Sequence, residues 1–342
     1  MIAGENGEGK TNLLEAVGYL ATLRSFRGAP GEALIRSGAA QAVVRADGAR
    51  EGRRVLIEAE LRPSGRDRVQ VNRQALRRTR DLLGALQVTV FAPDDLRLIK
   101  GGPQERRELL DDLLVALHPR HDAARVEVER VLRQRGALLR SAAGHIRPSE
   151  DVLTTLDVWD TKLADAGTAL VRAREGLVEA LGPRCNEAYH ELGLAAESRG
   201  RAVIRFDYRR SWSGGLLDAL REARIDDLRR GVSTVGPHRD DLAIDLGGLP
   251  ARTHASQGEQ RSLALALRLS GHRIVTDRIG SSPILLLDDV FSELDPLRAA
   301  ALLRVLPPGQ TLLTSAGAVP EGAEVIARVE VAGGQLHSVS YP

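Results

Sequence analysis

Apolar residues recur along the chain with two different periods, which predict strands in some segments and helices in others. Every second residue is apolar over 55–61, and segments 42–45 and 69–71 have the same strand character. Residues 284–287 are uniformly aliphatic, which is typical of a strand buried on both faces. Leucine and valine residues at helical spacing over 11–21 predict an early helix. Together these patterns predict an α/β protein with an antiparallel layer near its start.

The middle of the chain has a helical pattern. One helix begins at Gly101-Gly102-Pro103, a second block runs to about residue 139, and a third follows a break at 144–149. The third block has a heptad repeat, formed by Leu156, Leu163, Leu170 and Leu177, with Trp159, Ala166, Ala173 and Ala180 three residues after each. Such a seam lets a partner helix pack closely. We therefore predict a helical arm, or second lobe, over 99–201, inserted between head segments 1–98 and 202–342.

The segment at the start of the first helix carries the strongest chemical signal. Its residues are Gly4, Glu5, Asn6, Gly7, Glu8, Gly9, Lys10 and Thr11, which fit the pattern G-x-x-x-x-G-K-S/T. In such a P-loop the backbone N–H groups wrap phosphate oxygens, the lysine reaches the β- and γ-phosphates, and the hydroxyl ligates Mg²⁺. The helix that follows adds the positive end of its dipole. We predict that all eight residues bind a nucleotide and that Lys10 also takes part in catalysis.

Two later segments have the chemistry of a phosphate site. Ser256 can cap the helix that starts in Ser256-Gln257-Gly258-Glu259-Gln260, so its free N–H groups form a second anion site. The buried strand over 284–287 ends in Asp288 and Asp289, the Walker B pattern, in which one aspartate holds Mg²⁺ and the next faces the attacking water. Ser292-Glu293-Leu294-Asp295-Pro296 follows directly.

Composition narrows the class of protein. The chain has 342 residues, 43% of them hydrophobic, which is enough for a sizeable core and for two domains or one interrupted domain. Its apolar runs are too short for a membrane helix, and we expect neither a membrane partner nor a secretory signal. A single cysteine, Cys185, excludes an internal disulfide and fits the reducing cytoplasm in which we expect the protein to reside.

Charge is distributed unevenly, although the formal net charge is only +2. Residues 50–80 contain ten arginines and four acidic residues, a local charge of +6. This arginine-rich segment is a candidate phosphate-binding face, and we predict that Arg73, Arg77 and Arg78 contact DNA. The alternative is a general replacement of lysine by arginine, since the chain has only three lysines. Composition does not separate these two interpretations.

A charged turn at Gly236-Pro237-His238-Arg239-Asp240-Asp241 precedes a segment in which Leu242, Ile244 and Leu246 alternate with other residues. A turn of this kind is usually a solvated corner between strands. Histidine, arginine and two carboxylates could also order the wall of a pocket. Both interpretations stay open at this point, with the functional one slightly favoured.

Five stretches together resemble the ABC-type ATPase heads of the SMC-like proteins, and within that group the RecF family. They are GENGEGKTNLLEA (4–16), VFAPDDLRLIKGGPQERRELLD (90–111), GPHRDDL (236–242), SQGEQRSLALALRL (256–269) and LLLDDVFSELD (285–295). The second and third are particular to RecF rather than shared with transporter ATPases. The resemblance implies an ABC-type P-loop head with an inserted helical arm. It also implies that strands before the P-loop are absent from this chain, because only three residues precede Gly4.

The resemblance implies an ATP-dependent, weakly hydrolysing DNA-binding protein of recombinational repair and replication restart. Such a protein dimerises on ATP, acts on duplex, gapped or junction DNA, and helps to load RecA together with RecO and RecR. Asp288 and Thr11 would hold Mg²⁺, and Asp289 would be the general base. Ser256, Gly258 and Gln260 would cap the γ-phosphate held by the other subunit, and Ser292 and Asp295 would lie at the dimer seam.

Two other functions remain as alternatives. One is an ATPase subunit of another SMC-like or transport complex, and the long arm beginning GGPQERR argues against the transporter. The other is a nucleotide-free DNA-binding scaffold.

Many ABC ATPases have Glu after the Walker B aspartate, whereas this chain has Asp289. The shorter side chain places the base farther from the water, so we predict slow hydrolysis.

Overall fold

The computed structural model describes residues 1–50, 52–143, 149–193, 203–317 and 321–340. For Arg50, Glu293 and residues 338–340 it describes the backbone alone. Most of the predicted break at 144–149, Glu51 of the arginine-rich segment, and the predicted end of the arm at 201 lie outside the described residues.

Strands and helices occur in the segments where the two periodicities predict them. The strands are β1 (Ile2–Ala3), β2 (Ala42–Arg50), β3 (Arg53–Leu61), β4 (Arg68–Val71), β5 (Gln74–Ala75), β6 (Val88–Phe91), β7 (Ile204–Arg209), β8 (Asp241–Leu246), β9 (Leu249–Pro250), β10 (Ile284–Asp288), β11 (Thr311–Ser315), β12 (Arg328–Ala332) and β13 (Gln335–Ser340). The helices are α1 (Lys10–Thr22), α2 (Arg97–Lys100), α3 (Pro103–Leu117), α4 (Arg120–Ala142), α5 (Glu150–Glu191), α6 (Leu216–Glu222), α7 (Arg224–Arg230), α8 (Ala251–His254), α9 (Gln257–Ile279) and α10 (Pro296–Val305). None of these helices is long and apolar enough to span a bilayer, as far as the described residues go.

The described residues form two compact units. The first unit takes its residues from Met1–Leu96, Glu187–Glu197 and Arg261–Pro342, and the second from Arg97–Asn186 and Ser198–Gln260. These units reflect contact density within the chain. The division into domains 1–98, 99–201 and 202–342 is a separate prediction and stays one.

The first unit is built on a six-stranded sheet in the order β13-β12-β1-β11-β10-β6. Strand β1 pairs in parallel with β11 and β12, and β10 pairs in parallel with β11 and β6. Leu14 of α1 and Leu286 of β10 are both fully buried in one core cluster. Because parallel strands end at the same edge of a sheet, the segments that follow β1, β10 and β11 meet there.

The first unit also contains the antiparallel layer predicted over 42–71. Its strands are hydrogen-bonded in the order β2-β3-β4-β5. Ile57, Ala59 and Leu61 alternate inward from β3 and pack with Tyr19 and Leu20 of α1. The alternation read from the sequence is therefore confirmed as the buried face of this layer.

The second unit contains α3, α4, α6, α7, α8, most of α5 and the antiparallel sheet β7-β8-β9. Helix α3 begins at Pro103 behind Gly102, as predicted, since proline suits the first helical turn. The leucine stripe of α5 is buried along its whole length, at Leu156, Leu163, Leu170 and Leu177. This part of the heptad prediction is confirmed.

The other half of the heptad prediction, that the residues three positions after each leucine complete the buried seam, is wrong. Trp159, Ala166 and Ala173 are half-buried and Ala180 is exposed. The buried positions lie four residues after each leucine instead, at Asp160, Gly167, Arg174 and Leu181. Two of these residues are charged, and each is neutralised by an ion pair with another helix: Asp160 with Arg135, and Arg174 with Asp111. Hydrophobic periodicity gives no weight to such residues.

Candidate functional site

The P-loop occupies the connection between β1 and α1, and its glycines are required by its shape. A Cβ atom on Gly4 would lie 2.2 Å from the carbonyl oxygen of Val331 in β12, so no other residue fits there. Gly9 is the N-cap of α1 with φ of 102°, a backbone conformation that L side chains rarely adopt. Helix α1 therefore starts directly behind the loop, with its first N–H groups at the position where an anion binds most favourably.

Lys10 is held within the curve of the P-loop. Its Nζ atom donates hydrogen bonds of 2.7 Å to the carbonyl oxygens of both Gly4 and Glu5. The residue is only 6% exposed, so its position is fixed by the loop. The contacts among the described residues use two of the three N–H donors of this ammonium group, which leaves the third for a ligand.

Asp288 ends β10 and is brought beside the P-loop by the sheet. Its Oδ1 atom accepts hydrogen bonds from Thr11 Oγ1 at 2.9 Å and from Thr314 Oγ1 at 2.8 Å. The parallel register aligns Asp288 with Thr314 of β11. A carboxylate and a hydroxyl are hard oxygen donors of the kind that Mg²⁺ prefers, so the side chains fit the ion that the sequence predicts here.

Asp289 follows at the end of the same strand with an unusual backbone conformation. Its φ and ψ of 48° and 28° are left-handed, which is uncommon for a residue other than glycine. Its N–H donates to Thr314 Oγ1 at 2.9 Å, and its carbonyl accepts from Ser292 Oγ at 2.8 Å. Its carboxylate makes no hydrogen bond or ion pair with the described residues. The strained backbone thus presents a free, half-buried carboxylate beside Asp288.

The start of α9 lies in the second unit and forms a capping box. The backbone N–H of Ser256 donates to Glu259 Oε2 at 2.7 Å, and Glu259 N–H donates to Ser256 Oγ at 3.3 Å. Ser256 is therefore the helix cap that the sequence predicts, and Gly258 lies inside the first turn. Ser256 and Gln257, at the start of this turn, are exposed, and Gly258 is half-buried.

Gln260 has a different environment from Ser256. It is only 3% exposed, and its Nε2 donates to the carbonyl oxygens of Ala251 and Arg252 in α8, at 3.1 and 3.2 Å. Its Oε1 atom is buried without a hydrogen-bond partner in the described residues. Both amide hydrogens are committed to α8, and they are the only side-chain donors that Gln260 has for a phosphate.

Ser292 and Asp295 both make local contacts in the first unit. Ser292 Oγ donates to the carbonyl of Asp289, as described above. Asp295 is the N-cap of α10, where its Oδ1 accepts from the Arg298 N–H at 3.0 Å and Pro296 takes the first helical position. Leu297, next in the chain, is 80% exposed, an unusual environment for leucine.

The arginine-rich segment separates into paired and unpaired side chains. Arg54 and Arg62 form ion pairs with Asp47 and Glu60, and Arg45, which precedes the segment in β2, pairs with Glu58. Six others are exposed and make no ion pair or hydrogen bond through their side chains among the described residues: Arg53, Arg66, Arg68, Arg73, Arg77 and Arg78. The three arginines predicted to contact DNA all belong to this unpaired group.

The three arginines predicted to contact DNA lie at two places on the antiparallel layer. Arg73 is at the tip of the β4–β5 hairpin with φ of 65°. Arg77 and Arg78 follow β5. The chain before them still runs antiparallel to β4, since Leu76 N–H donates to Val69 O at 2.9 Å. The three residues therefore lie along one edge of the sheet rather than at a single point.

The charged turn at residues 236–241 is part of a buried network and not a solvated corner. The carboxylate of Asp241 accepts hydrogen bonds from Nε and Nη2 of Arg106 in α3, at 2.8 and 3.1 Å. The carbonyl oxygen of Asp240 accepts one from Arg107 at 2.6 Å. Arg174 of α5 donates to the carbonyl of Pro237 at 2.8 Å. The two stretches at 90–111 and 236–242 thus contact one another.

Burial also sets the protonation state of this turn. Burial lowers the pKa of His238 to about 4, so the ring is neutral at pH 7. Burial raises the pKa of Asp240, which nevertheless accepts hydrogen bonds from Tyr208 Oη at 2.9 Å and Ser211 N at 2.8 Å. The turn therefore joins α3, α5 and β7 in a structural cluster, and the pocket-wall interpretation is not needed to explain its residues.

Comparison with known proteins identifies the family. The model for the RecF/RecN/SMC N terminal domain matches residues 1–312. The DNA replication and repair protein RecF of Streptomyces avermitilis is 46% identical over 321 residues, which cover 92% of this chain and 86% of that protein. The chain belongs to the RecF family. The resemblance drawn from five sequence stretches is thereby confirmed.

Solved RecF structures confirm the fold class. The recombination mediator protein RecF-ATPrS of the RecFOR pathway superposes with a TM-score of 0.86 at 28% identity, covering 98% of this chain and 90% of that one. A second structure, RecF-ATP of the same pathway, gives a TM-score of 0.84 at 29% identity, covering 98% and 92%. This RecF-family chain is therefore a mixed α/β ATPase head with a helical insert.

Sequence reasoning missed one residue that the site uses, Thr314, and one contact of a residue that it did predict, Glu8. Thr314 connects Asp288 to the backbone of Asp289, and the available signal was a threonine at the end of the strand that neighbours β10. Glu8 accepts a hydrogen bond from Gly333 N–H in the turn between β12 and β13. No local pattern could indicate this second contact, because 325 residues separate its partners.

Proposed function

We propose that this protein is an ATP-binding recombination mediator of DNA repair and replication restart that works with RecO and RecR to load RecA. Family membership supports the pathway. The observation that best supports ATP binding is that the P-loop lies beside the end of β10, where Thr11 Oγ1 is 2.9 Å from Asp288 Oδ1.

Each residue of this site has a distinct proposed task. The P-loop from Gly4 to Thr11 would bind the phosphates through its N–H groups, with Lys10 adding a positive charge. Thr11 and Asp288 would hold Mg²⁺, which when bound would neutralise phosphate charge. Thr314 would orient Asp288. These tasks use groups that are already positioned before any ligand arrives, which lowers the entropic cost of binding.

Asp289 is proposed as the general base of a slow ATPase. Its free carboxylate would accept a proton from the attacking water on one carboxylate oxygen. The side chain of an aspartate is shorter than that of the glutamate found in many ABC ATPases, so the proposed hydrolysis is slow. Its rate would set the lifetime of the ATP-bound state.

ATP-dependent homodimerisation would complete the site. Ser256 and Gly258 would present the exposed first turn of α9 to the γ-phosphate held by a second copy, and Ser292 and Asp295 would lie at the seam. Gln260 enters this proposal as the residue that anchors the turn to α8, because its donors already serve Ala251 and Arg252. A ligand that binds the closed dimer more tightly than the monomer shifts the population toward the dimer.

Replacing Lys10 by Ala is the test of this function. We expect ATP affinity to fall at least about 30-fold, because truncating one partner of a buried charge pair costs about 2 kcal/mol or more. Titration with a fluorescent ATP analogue measures affinity, and light scattering with and without ATP measures self-association. DNA binding and self-association should become independent of ATP in the variant.

The matched control for Lys10 is Lys162→Ala on α5, an exposed lysine whose Nζ lies 5.5 Å from the Trp159 ring. This control should keep the ATP response of the unmodified protein. If the unmodified protein itself binds DNA and self-associates equally with and without ATP, it is a nucleotide-free scaffold and the proposal is wrong.

The unpaired arginines are the proposed contacts to DNA phosphates on gapped, junction or duplex DNA. Replacing Arg73, Arg77 and Arg78 by Ala should flatten the dependence of log Kd on log salt by up to about 0.9 per lost phosphate contact. Fluorescence anisotropy with duplex DNA at several salt concentrations measures this slope. Only 3% of residues are aromatic, which favours backbone contacts over base stacking.

The paired arginines of the same sheet provide the control. Replacing Arg45, Arg54 and Arg62 by Ala removes the same formal charge, but from side chains already engaged by acidic residues. The salt slope should change much less in this control. Equal slopes for the two triple variants would place the DNA on another surface.

A further inference from the structure

Glu8 is an acidic residue inside a loop that we propose binds phosphates, an unfavourable place for a negative charge. The structure turns its carboxylate away, so that Oε2 accepts a hydrogen bond from Gly333 N–H. The carbonyl oxygen of Glu8 accepts a second hydrogen bond, from Gly334 N–H, at 3.1 Å. Gly333 and Gly334 form the turn between β12 and β13, with φ of 57° and 70°.

The β12–β13 hairpin also touches the P-loop elsewhere. Val331 O lies against Gly4, and Gly334 Cα would be 3.6 Å from a Cβ atom on Gly9. Glu5 and Glu8 of the loop and Arg328 and His337 of the hairpin line the same cavity of about 480 Å³. The hairpin therefore contacts the first glycine, the last glycine and the acidic residue of the loop.

We propose that Glu8 is a positioning residue through which the β12–β13 hairpin sets the conformation of the P-loop and hence the affinity for ATP. A hydrogen bond to a charged acceptor is stronger than one between neutral groups, so the carboxylate holds the glycine turn firmly. The same bond fixes Glu8 on the hairpin side of the loop. The inference rests on the proposed ATP function of the loop.

Two substitutions separate positioning from charge. Glu8→Gln removes the negative charge and keeps an oxygen that can accept from Gly333, whereas Glu8→Ala removes both. Repulsion of phosphate by Glu8 would change equally in the two variants. Positioning requires that Glu8→Ala bind a fluorescent ATP analogue about 5- to 10-fold more weakly than Glu8→Gln, the effect of about one hydrogen bond. Equal affinity of the two variants would overturn the inference.

Glu5 provides a matched pair of controls, because it is an acidic residue of the same loop whose side chain makes no hydrogen bond in the described part of the chain. Glu5→Gln and Glu5→Ala should differ from one another by less than about 2-fold. A difference as large as that at Glu8 would show that any shortened side chain in the loop has this effect, and would contradict a special role for the contact with Gly333.

Hydrogen exchange measured without nucleotide tests the contact independently of ATP binding. In mass spectrometry, the peptide spanning Gly333 and Gly334 should exchange faster in Glu8→Ala than in Glu8→Gln. If the unmodified protein binds no ATP, the proposed function fails, while this exchange difference still reports whether Glu8 holds the hairpin. Identical exchange in the two variants would overturn the inference by itself.

Discussion

Replacing Asp289 by Asn is expected to lower ATP turnover about 10²- to 10⁴-fold, the usual contribution of a general base. Asn cannot accept the proton but has the same shape and tolerates a left-handed backbone, so the φ of 48° and the hydrogen bond to Thr314 should persist. ATP affinity should stay within a few-fold of its original value. A phosphate-release assay under saturating ATP measures turnover.

The ATP-bound dimer should accumulate in the Asp289→Asn protein, because hydrolysis would no longer end the ATP-bound state. Light scattering after addition of ATP measures this accumulation. Asp288→Asn is the comparison, since loss of the proposed Mg²⁺ ligand should weaken nucleotide binding as well as turnover. Undiminished turnover in Asp289→Asn would remove the assignment of this residue as the base.

Replacing Arg135 by Met is expected to lower the free energy of unfolding by about 3 to 5 kcal/mol, the cost of breaking a buried ion pair from one side. Arg135 of α4 is 0% exposed. It donates to Asp160 at 2.7 Å, to Asp227 at 2.6 Å and to Ser233 Oγ at 2.8 Å. Methionine fills a similar volume but leaves Asp227 without its cation and Asp160 with Arg224 alone. Urea denaturation followed by circular dichroism measures the change.

Arg229→Met is the matched control for Arg135, since Arg229 forms an ion pair with Asp226 in which both side chains are more than half exposed. This pair should contribute about 0 to 1 kcal/mol. Adding Asp160→Asn and Asp227→Asn to Arg135→Met should recover much of the lost stability, because neutral amides cost less to bury unpaired than carboxylates do. A loss in Arg135→Met no larger than in the control would show that the cluster is not structurally required.

The elements that sequence reasoning predicted well are those specified by neighbouring residues. The P-loop, the alternation over 55–61, Pro103 at a helix start and Ser256 at a helix cap all depend on contacts within a few positions of the chain. The buried charges of α5 are different. The sequence around Asp160 and Arg174 predicts solvent-facing residues. In the structure they are buried because Arg135 and Asp111, which are 25 and 63 residues away on other helices, form ion pairs with them.

The sequence by itself determined that this chain has a P-loop, a Walker B strand, an antiparallel arginine-rich layer and a helical insert, since short-range hydrogen bonding and the pattern of apolar residues specify each of them. Only the tertiary structure decided that Thr314 supports Asp288, that Gln260 serves α8, that the charged turn at 236–241 binds α3, and that Glu8 faces the β12–β13 hairpin. The physical reason is that a polar side chain takes its role from whichever hydrogen-bonding partner folding places beside it.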